Sequence, residues 1–158
     1  MSRLDSFLRR LSAQREGLNW AASAMAGRAG DVLEVGLGNG RTYDHLRELL
    51  PERRIWVIDR ALHCHPECTP PAETYLEGEA APMLVRLQER GVRLALAHYD
   101  LGSGVDEVDV AESVALGPLI ARLMLPGGWI VSGQPMQGFK TVEGPAAIQT
   151  DRYFIYQV

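Results

Sequence analysis

Three glycines at alternate positions, Gly36, Gly38 and Gly40, lie between five residues of strand character, Asp31-Val-Leu-Glu-Val35, and a run at helical spacing, Arg41-Thr-Tyr-Asp-His-Leu-Arg-Glu-Leu-Leu50. A strand, a glycine turn and a helix in that order constrain the fold more than any other stretch of the chain. Glycine adopts backbone angles barred to residues with a Cβ, and it lets a ligand lie against main-chain N–H groups at a helix N-terminus. A nucleotide-like ligand suits such a turn, and spacing sorts the nucleotides. A dinucleotide fingerprint puts its third glycine five positions after the first, where this chain has Arg41. A P-loop needs Lys followed by Ser or Thr after its last glycine, and the one lysine here is Lys140. NAD fits poorly, and ATP by that route is excluded.

What remains is an acid two residues ahead of Gly-x-Gly-x-Gly: Glu34, then Gly36, Leu37, Gly38, Asn39 and Gly40. This resembles the first motif of the class I S-adenosylmethionine-dependent methyltransferases. A second strand, Arg53-Arg-Ile-Trp-Val-Ile-Asp59, ends in an acid about 20 residues beyond the turn, where α/β nucleotide folds hold ribose hydroxyls. Gly78-Glu79-Ala80 resembles the family's Gly-Asp-Ala element, whose acid reaches the adenine amino group, with Glu in place of Asp. Glu79 also suits the start of the next helix, where an acid complements the dipole. Pro126-Gly-Gly128 followed by Trp129-Ile-Val-Ser132 resembles the family's turn into its fifth strand.

The resemblance covers residues 31 to 133. It implies a doubly wound, mostly parallel, Rossmann-like α/β sheet with S-adenosylmethionine as cofactor. It assigns cofactor contacts to Glu34, Gly36, Leu37, Gly38, Asn39, Gly40, Thr42, Asp59, Arg60, Gly78, Glu79 and Ala80. The fourth strand, within Val92–Leu101, is expected to end beside the glycine turn at the switch point of the sheet. His98, Tyr99 and Asp100 are therefore the candidates for chemistry. Methyl transfer is an in-line displacement, so an enzyme must align the acceptor and, where needed, remove its proton. His98 or Asp100 is the candidate base, with Tyr99 as orienter or as a π-face for the sulfonium. The Asn/Asp-Pro-Pro-aromatic motif of amino-methylating relatives is absent, which argues against a nucleic-acid base or protein amide as acceptor.

With 158 residues, 46% hydrophobic, the chain is sized for one domain over 1–158: a helical extension at 1–29 and an α/β core at 30–158. A net charge of -4 offers no general attraction to phosphate backbones, so the expected acceptor is a small molecule or peptide rather than nucleic acid. No apolar run approaches the roughly 20 residues of a membrane span, and the charged start is unlike a signal segment, so a cytoplasmic protein is expected. His63, Cys64, His65 and Cys68 lie close together but lack a second ligand pair, since His45 and His98 are isolated; the expectation is a Pro-rich loop replacing a helix, without metal.

Apolar spacing from Leu4 to Met25 suggests two short helices broken at Gly17, with Trp20 either core or substrate clamp. A helix over Val105–Leu125 is expected to kink at Gly117-Pro118. After Ser132, a loop over Gly133–Thr150 either closes the acceptor pocket or is an unordered connection, and only Arg152–Val158 reads as a strand. The C-terminal edge of the sheet is expected to be shortened, and an uncovered edge favours pairing with a second copy, a homodimer. Other functional classes remain: a non-catalytic holder of S-adenosylmethionine or its demethylated product, a nicotinamide oxidoreductase, which Arg41 disfavours, and an aminopropyl transferase, for which no carboxylate cluster accompanies Asp100.

Overall fold

The computed structural model describes residues 2–148 and 153–158. Among these residues seven strands form one sheet: β1 (Asp31–Val35), β2 (Ile55–Asp59), β3 (Tyr75–Glu77), β4 (Leu94–Tyr99), β5 (Met124–Ser132), β6 (Lys140–Val142) and β7 (Phe154–Gln157). Their order is β3-β2-β1-β4-β5-β7-β6. The first five are parallel, and β7 runs antiparallel between β5 and β6. Strand order reverses between β1 and β4, so a crevice opens at their C-terminal ends, directly above the glycine turn.

Four α-helices among the described residues cover the sheet: α1 (Arg3–Ala24), α2 (Arg41–Leu49), α3 (Ala80–Glu89) and α4 (Asp106–Leu123). Because side chains alternate across a strand, β1 sends Leu33 and Val35 into one core with Leu84, Leu87, Leu116 and Ile120 of α3 and α4, and Val32 into the other with Leu18, Ala21 and Leu46 of α1 and α2. Glu34 shares the α1/α2 side with Val32. β4 is buried along its whole length, as a central parallel strand covered on both faces must be.

The N-terminal segment is one helix rather than two. Its start is fixed by a capping box between Ser2 and Asp5. Gly17 does not break it, because the lost Cβ makes room: one added there would stand 3.2 Å from Val131 and 3.3 Å from Tyr153. The glycine trades helix propensity for close approach to the sheet. Trp20 packs edge-on against Trp129, with centroids 4.8 Å apart, which gives it core work. α4 runs unbroken through Gly117-Pro118, two residues shorter at its C-terminal end than expected.

The C-terminal edge is short in strand length, not in strand number. β6, a three-residue strand at the sheet edge, lies inside what reads from sequence as loop, and no helix separates it from β5. Thr150 and Arg152, which bounded the expected loop and last strand, lie outside the described residues. Between β2 and β3 there is a short 3-10 turn, Pro66–Cys68, in place of an α-helix. Among the described residues no helix is long and apolar enough to cross a membrane, and no group of three His, Cys, Asp or Glu residues is placed to hold a metal ion.

Candidate active site

The glycine turn leaves β1 at Gly36 and enters α2 at Gly40, with φ of 94° and 88° at those two residues, a region that disfavours any side chain. Space makes the same demand. A Cβ on Gly36 would stand 2.9 Å from the Asp100 carbonyl oxygen, and one on Gly40 would stand 2.5 Å from the Cys68 Cβ. The His65 N–H donates to the Asn39 carbonyl at 3.1 Å, so the His/Cys-containing loop buttresses the turn from behind.

Above the turn lies an open cleft of about 710 Å³. Its floor is Gly36, Leu37, Gly38 and Asn39; Asp59 and Arg60 border one end, and Asp100 and Leu101 the other. Asp59 does more than end β2. Its Oδ2 accepts from the Leu37 and Gly38 N–H groups at 2.7 and 2.9 Å, and its Oδ1 from the Arg60 N–H at 2.6 Å. A carboxylate has about four acceptor positions, so one remains for a ligand hydroxyl. Thr42 also lines the cleft.

Gly78, Glu79 and Ala80 stand near but not in it. The Gly78 N–H donates to the Asp59 carbonyl at 2.9 Å, and Ala80 is buried at the start of α3. Glu79 is exposed and accepts from Arg60 Nε at 3.1 Å, while the same guanidinium reaches Glu112 at 3.5 Å. The element thus meets the cleft through Arg60.

A second cleft of about 730 Å³ adjoins the first. The two share Phe7, Arg10, Asp100, Leu101 and Gly102. Gln134, Pro135 and Phe154 form the far wall of the second, so the chain after β5 does border it.

Asp100 stands at the junction, where α1 holds it: Arg10 donates to its Oδ1 at 2.9 Å and Gln14 to its Oδ2 at 2.6 Å. Arg10 and Gln14 were not legible as site residues, because nothing in a helical repeat says which strand end it will cross. The available signal was a glutamine at helical spacing between Leu11 and Leu18, a position that the structure leaves only 5% exposed.

His98 and Tyr99 correct the expectation that the end of β4 presents three side chains to an acceptor. Both are fully enclosed, on opposite faces of the sheet, and neither lines a cleft. Tyr99 joins the α3/α4 core, where burial raises its pKa well above the ordinary phenol value. His98 turns to the other face. Its Nδ1 is 2.6 Å from Glu34 Oε2, and its Nε2 is hydrogen-bonded to the Tyr153 hydroxyl. Glu34, fully buried, also accepts from the Thr42 hydroxyl through Oε1. Glu34 therefore sits behind the turn, not in contact with a ligand in the cleft.

Burial alone would lower the His98 pKa. The Glu34 carboxylate outweighs burial by charge and by hydrogen bond, with Asp100 adding to it, and holds the imidazole above its usual value. A raised folded-state value means that the proton stabilises the fold. That contribution is complete below the unfolded value of about 6.5 and is lost as pH rises through the folded value. The stability gap between wild type and His98→Gln is accordingly expected to be widest at or below pH 6.5 and to narrow with rising pH. Urea unfolding of both proteins at pH 6, 7.5 and 9 checks this, and a constant gap would mean that folding leaves the proton affinity of the imidazole unchanged.

A glycine turn, an acid at the end of β2 and a crevice at the switch point describe a cofactor site, and the comparisons say which. Over residues 1–158 the sequence matches the family described as S-adenosyl-L-methionine methyltransferase. The chain belongs to that family. The methyltransferase is similar to a solved S-adenosyl-L-methionine methyl transferase from Silicibacter pomeroyi DSS-3, with 38% identity over 99% of this chain and 98% of that one and a TM-score of 0.94. More distant likenesses show the fold alone. The plantazolicin methyltransferase BpumL, solved with SAH, is 16% identical over 82% of this chain and 48% of that one, with a TM-score of 0.55. The release-factor-specific protein-(glutamine-N5) methyltransferase from Alicyclobacillus acidocaldarius is 15% identical over 92% and 91%, with a TM-score of 0.51. No curated protein matches the chain. The methyltransferase uses S-adenosylmethionine, and its cleft fits that cofactor. Gly38 faces open space, with nothing within 4 Å of where a Cβ would stand, and Asp59 is positioned beside it as a hydroxyl acceptor.

Proposed function

We propose that the first cleft holds S-adenosylmethionine and the second its methyl acceptor, a small molecule or a peptide segment, with Asp100 between them. When bound, the cofactor supplies an electrophilic methyl on a sulfonium centre. The chain's own residues bind and orient. Leu37, Gly38 and Asn39 offer main-chain groups along the cofactor, and the free acceptor position of Asp59 takes a ribose hydroxyl. Arg60, backed by Glu79 and Glu112, borders the adenine end. On the acceptor side, Phe7 and Phe154 offer apolar surface, and α1 keeps bulk water from the junction. Among the described residues, Asp100 is the one carboxylate that lines both clefts. It aligns the acceptor, and it takes a proton where the acceptor carries one, after exchanging its contacts with Arg10 and Gln14.

The observation that carries this reading is the pair of adjoining clefts meeting at Asp100. Parallel calorimetric titrations with S-adenosylmethionine, S-adenosylhomocysteine and NAD test the cofactor half. Micromolar binding of the first two with no heat from NAD is expected; silence from both, or a response to NAD, would overturn it. For the acceptor half, Asp100→Asn is expected to leave S-adenosylhomocysteine affinity within about threefold while lowering turnover at least tenfold once an acceptor is in hand. Equal losses in both would make Asp100 a binding group only.

A further inference from the structure

Behind the cleft lies a line of polar side chains that cofactor contact does not explain. It begins at the Thr42 hydroxyl on α2, passes to Glu34 on β1, to His98 on β4 and to Tyr153 just ahead of β7. Tyr153 also lies against α1, where a Cβ on Gly17 would stand 3.3 Å from its ring, and Gln14 of the same helix donates to Asp100 at 2.6 Å. Glu34 and His98 are 0% exposed and Tyr153 is 3% exposed. Taking a carboxylate, an imidazole and a phenol out of water is costly unless each is satisfied by the next, so evolution of a merely stable core would favour apolar residues here. One end of the line, Thr42, lines the first cleft; the other, Tyr153, packs against α1, whose Arg10 and Gln14 hold Asp100 where the two clefts meet.

We infer that Tyr153 and His98 are positioning residues of the methyl-transfer site, holding Thr42 through Glu34 on one side and seating α1, which carries Arg10 and Gln14 to Asp100, on the other, so that the glycine turn and the helix over the cleft are fixed as one unit. This rests on the cofactor reading given above. The groups facing His98 are Glu34 from β1, Tyr153 from the approach to β7, Asp100 just beyond the end of its own strand, and Arg10 from α1. Neither positioning residue touches a ligand, since neither lines a cleft. The effect passes through Glu34 and through the seating of α1.

The test uses S-adenosylhomocysteine as probe. Tyr153→Phe keeps the ring and removes the hydroxyl; Glu34→Gln keeps the shape and removes the charge. Each is expected to weaken S-adenosylhomocysteine binding about fivefold, the scale of one hydrogen bond. Because both cut the same line, the double variant is expected to lose little more than either single one. Losses that multiply, or affinities that stay at wild type while melting temperature falls, would reduce the line to a structural role and overturn the inference. A second readout needs no variant to fold well. In nitrogen-15 NMR of histidine-labelled wild type, the ring signals of His98 are expected to shift when S-adenosylhomocysteine is added, although the ring is enclosed. A wild type that binds the probe with unmoved His98 signals overturns this inference alone; a wild type that binds no probe overturns the cofactor reading, and this inference with it.

Discussion

Glu34→Ala is expected to cost about 3–5 kcal/mol of folding stability, the range for removing one partner of a buried, hydrogen-bonded ion pair. Glu34 and His98 are both 0% exposed and 2.6 Å apart, so no water replaces the lost carboxylate. The Thr42 hydroxyl loses its acceptor in the same stroke. The imidazole can shed its proton, which places the expected cost toward the lower end of the range. Urea unfolding at pH 7 measures the change directly. A loss under about 1 kcal/mol would mean that the space collapses or floods without penalty, and that the pair is not a stabilising element.

Asp59→Ala is expected to weaken S-adenosylhomocysteine binding by about 1.5–3 kcal/mol, as charge-assisted hydrogen bonds are lost. The structure adds a second cause to the one readable from spacing. Asp59 Oδ2 gathers the Leu37 and Gly38 N–H groups, so its removal also frees the floor of the cleft. Asp59→Asn separates the two causes. An amide oxygen can still accept from the turn, but it offers the ribose a weaker acceptor, so an intermediate loss is expected by calorimetry. An unchanged dissociation constant for Asp59→Ala would remove this residue from the site.

The elements that carry strong local rules were legible in the sequence. Gly36 and Gly40 are forced by positive φ and by neighbours that leave no room for a Cβ, and β1, β2 and β4 are apolar runs of the length that buried parallel strands require. What was illegible depends on tertiary neighbours. Gly17 looks like a helix break until Val131 and Tyr153 are seen beside it. β6 has three residues, too few for periodicity to show, and exists because β7 gives it a partner. His98 read as a catalyst because it ends a strand at the switch point. On a strand buried on both faces, alternation sends one side chain to each core and leaves only the residue after the strand, Asp100, at the opening. Tyr153 shared that obscurity, since nothing in Tyr153-Phe-Ile-Tyr156 distinguishes the ring that meets a histidine from the one that hydrogen-bonds a backbone amide.

The two ends of the described chain leave the molecule on opposite sides, and that decides how it is best handled in the laboratory. The first turn of α1 brings Arg3, Ser6 and Phe7 to the rim of the second cleft, whereas Val158 exchanges hydrogen bonds with Gly127 and Gly128 at the start of β5, the far end of the same strands. An affinity tag fused ahead of Ser2 would hang over the second cleft, where we propose that the acceptor binds. One fused after Val158 would trail from the opposite face. Screening for the acceptor should therefore begin with a carboxy-terminal fusion, because an amino-terminal one invites a false negative.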